Sequence, residues 1–101
     1  MIKKNDFIWH IGFQGNTAVV NRRQKLAYRD PAPEVLLQAG LLRAAFCSAL
    51  WESEVNHKDG ALDAFIQSFS RSTGVAASLD DIKRMVGVYH IPKGNLRIQS
   101  V

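Results

Sequence analysis

A chain of 101 residues is long enough to bury a hydrophobic core without a disulfide or a structural metal, and its length predicts one domain, residues 1–101. Hydrophobic residues make up 47% and charged residues 22%, which is ordinary for a soluble globular protein. The net charge is +4, and the excess lies in the first third of the chain. A single cysteine, Cys47, excludes an intramolecular disulfide and favours a reducing compartment, so we expect a cytoplasmic location.

The first patterned segment, residues 7–13, is rich in strand-forming residues. Alternation places its aromatic residues on one face, which we expect to be buried; this face consists of Phe7, Trp9, Ile11 and Phe13. Residues 14–16 are turn formers, and residues 17–21 have the pattern of a returning strand. Residues 7–21 therefore predict a β-hairpin.

Residues 22–29 form a basic segment, and the sequence leaves open whether it is a short helix or a third strand. Its cations and its aromatic residue are Arg22, Arg23, Lys25, Tyr28 and Arg29. Cationic side chains neutralise phosphates, and an aromatic ring among them can stack on an unpaired base. The segment is therefore a candidate nucleic-acid-binding site, and the alternative is an ordinary solvated face.

The most apolar stretch of the chain is residues 35–51, in which only Gln38, Arg43 and Ser48 are polar. A helix that is apolar on nearly all sides is typically buried, so we expect the other elements to cover this one. Gly40 divides the stretch and predicts a short helix at 33–39 followed by a longer one at about 41–53. The central arginine argues against a membrane span.

Two further helices and a second hairpin are predicted after residue 60. Apolar residues at helical spacing predict a helix over residues 61–72, and Ser78 can cap another that runs to Val86. Four turn formers at 92–95 separate apolar runs at 88–91 and 96–101, which predicts a hairpin with Tyr89 and Ile91 buried. The predicted class is α+β: a small antiparallel sheet from an N-terminal and a C-terminal β-hairpin, covered on one face by three to four helices.

No pattern in the sequence indicates catalysis, a cofactor or a metal. Cys47 lies in an apolar helix, and the histidines at 10, 57 and 90 lack metal-ligand spacing. Whether the chain is an enzyme stays uncertain, with the preference against it. The leading interpretation is a small non-catalytic binding or regulatory module that acts on another protein or forms a homo-oligomer, because apolar surface left over from 35–51 favours a dimer. The alternative is a nucleic-acid-binding regulator that uses residues 22–29; no membrane partner is expected.

Overall fold

In the computed structural model, which describes residues 1–29 and 31–101, a helix and a β-hairpin are followed by five consecutive helices and a final short strand. In chain order the elements are α1 (Lys4–Ile8), β1 (His10–Gln14), β2 (Thr17–Val20), α2 (Arg22–Ala27), α3 (Pro33–Gln38), α4 (Leu42–Glu54), α5 (Ala61–Thr73), α6 (Leu79–Val86) and β3 (Arg97–Ser100). The radius of gyration is 13.1 Å, close to the ~13 Å typical of a compact chain of ~100 residues.

The core is built around α4, as the apolar composition of this stretch predicts. Eight consecutive residues of the helix, 44–51, are buried, and α1, α3, α5 and α6 pack around it. The ring of Phe46 lies 5.7 Å from that of Phe65, and the Ser48 hydroxyl donates a hydrogen bond of 2.9 Å to the carbonyl of Pro31. Leu37 in α3 is only half-buried, so the densest burial belongs to α4.

The helix boundaries follow the local signals in the sequence. Gly40, with φ of +78°, separates α3 from α4, and Gly74 ends α5 in the same left-handed conformation. At the start of α6 the Ser78 hydroxyl accepts from the Asp81 N–H, and the Asp81 carboxylate accepts from the Ser78 N–H. The bond from the Ser78 backbone, aided by Arg84, lowers the pKa of Asp81. The predicted cap is therefore confirmed.

The N-terminal hairpin is present, but it is shorter than predicted. β1 and β2 pair antiparallel around a turn at Gly15, whose φ is +58°, whereas residues 4–8 form a helix. Adjacent residues Phe7 and Ile8 are both buried, which an alternating strand with one open face does not allow. Ile11 is 52% exposed and Phe13 43% exposed, so the predicted burial of one aromatic face was wrong for these two residues.

The predicted C-terminal hairpin was wrong. Residues 88–91 form no strand. Val88 and Ile91 are buried, whereas Tyr89, which lies between them, is 55% exposed. This spacing of three residues does not match the period of a strand. β3 instead pairs parallel with β2, so the sheet has the order β1-β2-β3 and is mixed rather than antiparallel. The helices between β2 and β3 provide the long connection that a parallel pair requires.

The α+β class is confirmed. In the part of the chain that the structure describes, no helix has the length and apolarity needed to cross a membrane.

Candidate functional site

The basic segment is a helix for most of its length, which resolves the question that the sequence left open. The side chain of Asn21 caps α2 by accepting from the Gln24 N–H at 3.1 Å. Arg22, Arg23 and Arg29 are exposed. These three cations are available to a ligand.

The other two residues of the predicted nucleic-acid site are held in contacts within the fold. The Lys25 ammonium lies 2.5 Å from a carboxylate oxygen of Asp6, which is 5% exposed. The Tyr28 ring stacks on Trp9 with centroids 5.3 Å apart. Asp6 thus neutralises one cation of the segment, and the tyrosine ring contributes to packing between α2 and the start of β1.

A polar centre that the sequence did not predict joins the first turn of α4 to the sheet. Nη1 of Arg43 donates to the carbonyls of His10, at 3.1 Å, and Ile11, at 2.7 Å. Nη2 lies 3.1 Å from Nε2 of His10. The two carbonyls lie where the register of β1 shifts between His10 and Gly12, so the guanidinium binds to an irregular point of the strand.

His10 is the neutral partner in this centre. Its Nδ1–H donates to the carbonyl of Phe7, which leaves the lone pair of Nε2 to accept from Arg43. Burial lowers the pKa of His10, opposed by the bond to Phe7 and assisted by the charge of Arg43. The imidazole is therefore uncharged near pH 7, and it adds no negative charge to balance the guanidinium.

Two cavities border the Arg43–His10 centre. The smaller one, of about 170 Å³, also has Trp9, Asn21 and Gln24 in its wall. The larger one, of about 460 Å³, has Phe13, Tyr89, Pro92 and Leu96 among its lining residues. Apolar surface predominates in the walls of both cavities, and the second is a groove with aromatic and aliphatic sides.

The third feature is the outer edge of β3, all four of whose residues are exposed. The N–H of Arg97 donates to Asn16 at 2.8 Å, and the N–H of Val101 donates to Val20 at 3.0 Å. Because alternate residues of a strand direct their backbone groups to opposite sides, those of Ile98 and Ser100 point away from β2. Among the described strands, none pairs with this side.

Comparison of the chain with models of protein families found no match, and neither a curated protein nor a solved structure matches it.

Cys47 is a free cysteine buried in the core. Burial raises the pKa of the Cys47 thiol to about 12, so the thiol is not a nucleophile near neutral pH. A cavity of about 740 Å³ is lined in part by Glu54, His57 and His90. No group of three or more metal-ligating side chains is found in residues 1–29 and 31–101.

The sequence contained a signal for the Arg43 centre. A charged residue within an apolar helix requires polar partners, because burying an unpaired charge is costly. The sequence could not identify those partners, since His10 and Ile11 lie more than 30 residues away and two of the contacts are made to backbone carbonyls.

Proposed function

We propose that the chain is a non-catalytic binding module that takes up an extended, acidic segment of another protein as a fourth strand beside β3. The observation that carries the proposal is the open edge of this strand, with the backbone donors and acceptors of Ile98 and Ser100 directed away from the sheet. An added strand supplies partners for these groups, which is a common mode of peptide recognition.

Apolar side chains beside the edge would provide contacts in addition to backbone hydrogen bonds. The register places Phe13, Ala18 and Ile98 side by side across the three strands, so they share one face of the sheet. Ala18 is buried, while Phe13 and Ile98 are partly exposed. A partner strand with an apolar residue on this face would extend the row and cover Ile98.

The charges near the edge favour an acidic partner. Arg97 opens β3, and the N–H of Arg22 donates to the carbonyl of Val101 at 3.2 Å, which places the basic start of α2 at the far end of the strand. The three strands and α2 contain no aspartate or glutamate. An extended segment with glutamate or aspartate would therefore meet cations at both ends of β3.

The same charges disfavour a second copy of the chain as the occupant. In an antiparallel self-pair the start of one β3 lies beside the end of the other. Arg97 of one copy would then approach Arg22 and Arg23 of its neighbour. Like charges at such short range are destabilising, and charged residues on edge strands commonly prevent self-pairing.

Nucleic-acid binding is the alternative function, and the exposure of Arg22, Arg23 and Arg29 favours it. Phosphates would contact these three guanidinium groups. The internal contacts of Lys25 and Tyr28 leave this surface with fewer cations and no free stacking ring. Such binding would be driven by charge, and it would weaken steeply as salt is added.

A titration of the ¹⁵N-labelled chain tests the proposal directly. The probe is a blocked octapeptide of alternating valine and glutamate, and the control is its valine–lysine counterpart. We expect the glutamate peptide to shift the amide resonances of Ile98 and Ser100 and to slow their exchange with solvent. Equal effects of the two peptides, or no change at these amides, would contradict the proposal. A parallel titration with mixed-sequence single-stranded DNA tests the nucleic-acid alternative. If that alternative is correct, the DNA should shift the amide resonances of Arg22 and Arg23 instead.

Ile98→Pro sharpens the test, because proline removes an N–H that points away from β2 and leaves those of the neighbouring residues in place. Binding of the glutamate peptide should weaken about tenfold or more, equivalent to about 1.4 kcal/mol. Ile98→Val keeps the N–H and the branched side chain and is the matched control. Retained affinity in the proline variant, with its circular dichroism spectrum unchanged, would exclude β3 as the site.

A further inference from the structure

Two residues that line the same cavity each have a buried hydrogen-bond donor without a partner. In the described ranges, three buried side-chain polar atoms have no partner: Asn5 Oδ1, Trp9 Nε1 and Arg43 Nε. Trp9, which is 3% exposed, and Arg43 both line the cavity of about 170 Å³. An N–H that is buried without an acceptor costs about 1–3 kcal/mol. A molecule with acceptor oxygens would remove this cost at both residues.

The start of α4 borders the same cavity and adds to its positive potential. Leu41, the N-cap residue, provides no side-chain hydrogen bond to the helix, and the first turn contains no acidic residue. Leu41 and Ala44 line the cavity together with Arg43. The N-terminus of a helix favours anions, because its first N–H groups have no partner within the helix.

The charge of Arg43 is not balanced by any described carboxylate. Its hydrogen bonds go to two backbone carbonyls and to neutral His10, and it takes part in none of the ion pairs among the described residues. These bonds leave Nε–H and one Nη2–H unused. In the planar guanidinium, Nε–H and Nη2–H form a fork that matches two oxygens of a carboxylate or a phosphate.

We infer that this cavity is an oxyanion site, in which the Arg43 fork, the Trp9 indole N–H and the start of α4 bind the oxygens of a carboxylate or a free phosphate. No residue that lines it is acidic, so nothing in its wall would repel the anion. Arg43 and His10 also line the groove of about 460 Å³, which has the aromatic and aliphatic walls suited to the apolar body of a small organic acid. The site lies apart from the β3 edge and does not depend on the proposed strand addition.

The side-chain N–H resonances of Trp9 and Arg43 report on this site in the intact chain. Sodium acetate and sodium phosphate are titrated separately at pH 7, with sodium chloride keeping the ionic strength constant. We expect saturable downfield shifts of the Trp9 indole and Arg43 Nε resonances. The indole of Trp51, which does not line the cavity, is the internal control and should not respond. Response to acetate alone identifies a carboxylate site, and response to phosphate alone identifies a phosphate site.

Arg43→Lys keeps the positive charge and removes the fork, so the affinity should fall about tenfold or more. Arg71→Lys makes the same exchange at an exposed position of α5 and should leave the affinity unchanged. The inference is overturned if neither anion produces a saturable shift, or if chloride produces the same shift. It is also overturned if folded Arg43→Lys binds as tightly as the parent chain. Should the lysine variant not fold, the titration of the parent chain still decides.

Discussion

Helix α4 and strand β3 are the extremes of burial among the described elements, and the proposed function assigns them different roles, stability to α4 and binding to β3. Residues 44–51 of α4 are all buried, whereas every residue of β3 is exposed. Burial of apolar surface is the main favourable term in folding, so α4 carries much of the stability. β3 contributes little to the core, and no described strand pairs with its outer edge.

Replacing Phe46 should produce the largest effect and gives the strongest test of this comparison. Its ring is fully buried against Phe65, so Phe46→Ala removes core contacts and leaves a cavity. We expect the free energy of unfolding to fall by about 3–5 kcal/mol in a urea titration. Phe13→Ala makes the same exchange in the sheet, where the ring is partly exposed, and should cost clearly less.

The two phenylalanine variants can also contradict the view that α4 stabilises the chain more than the sheet does. If Phe13→Ala destabilises the chain as much as Phe46→Ala, the sheet is as important to stability as the helix. In that case exposed residues near β3 cannot be interpreted as surface reserved for a partner. As a control, the slope of the unfolding free energy against urea concentration should be unchanged in both variants, because a changed slope would indicate a change in the unfolded state.

A smaller, pH-dependent effect is expected at the junction between the two regions, where His10 of β1 contacts Arg43 of α4. Burial lowers the pKa of His10 below its ordinary value of 6.5. The unfolded chain therefore binds a proton that the folded chain excludes. The contribution of His10 to the free energy of unfolding is fully present above pH 6.5. It is lost as the pH falls from 6.5 towards the lower pKa that His10 has in the folded chain.

Urea titrations between pH 7.5 and 5 measure this effect. The unfolding free energy of the parent chain should decline on acidification, and His10→Gln should remove most of that decline. His57→Gln, at an exposed position, is the matched control and should keep the parent's slope. A slope that persists in the His10 variant would assign the pH dependence to other groups.

Local signals in the sequence predicted α3 to α6 well, because each of these helices has its own start or end signals, whereas α1 was missed and α2 was left open between helix and strand. Four large apolar residues of α5 repeat at helical spacing: Leu62, Phe65, Ile66 and Phe69. Gly74 and Ser78 mark an end and a start that the structure confirms. The burial of α4 followed from its composition alone. These features depend on residues close together in the chain.

The sheet and the candidate sites depend on contacts between distant residues, so the sequence predicted them poorly. The parallel pairing of β3 with β2 joins residues 17–20 to residues 97–100, and no local pattern distinguishes it from a hairpin. In the predicted basic site, Lys25 is paired with Asp6, which lies 19 residues away in the chain and was not predicted as its partner. The sequence shows Arg43 as a polar residue in an apolar stretch, but it does not show that its partners lie in β1.

The smallest effect on stability is expected in β3 itself, where Ile98 is 40% exposed on an edge strand. Ile98→Ala should lower the free energy of unfolding by about 1 kcal/mol or less, because little fully buried surface is lost. Ile82→Ala is the matched exchange in α6; that side chain is fully buried, and its loss should cost about 2–5 kcal/mol. If the two substitutions lower the free energy of unfolding equally, β3 is part of the stabilising core. That result would contradict the proposal that its open edge is the binding surface. If Ile98→Ala lowers the free energy of unfolding only slightly and also weakens binding of the glutamate peptide, Ile98 serves binding rather than stability.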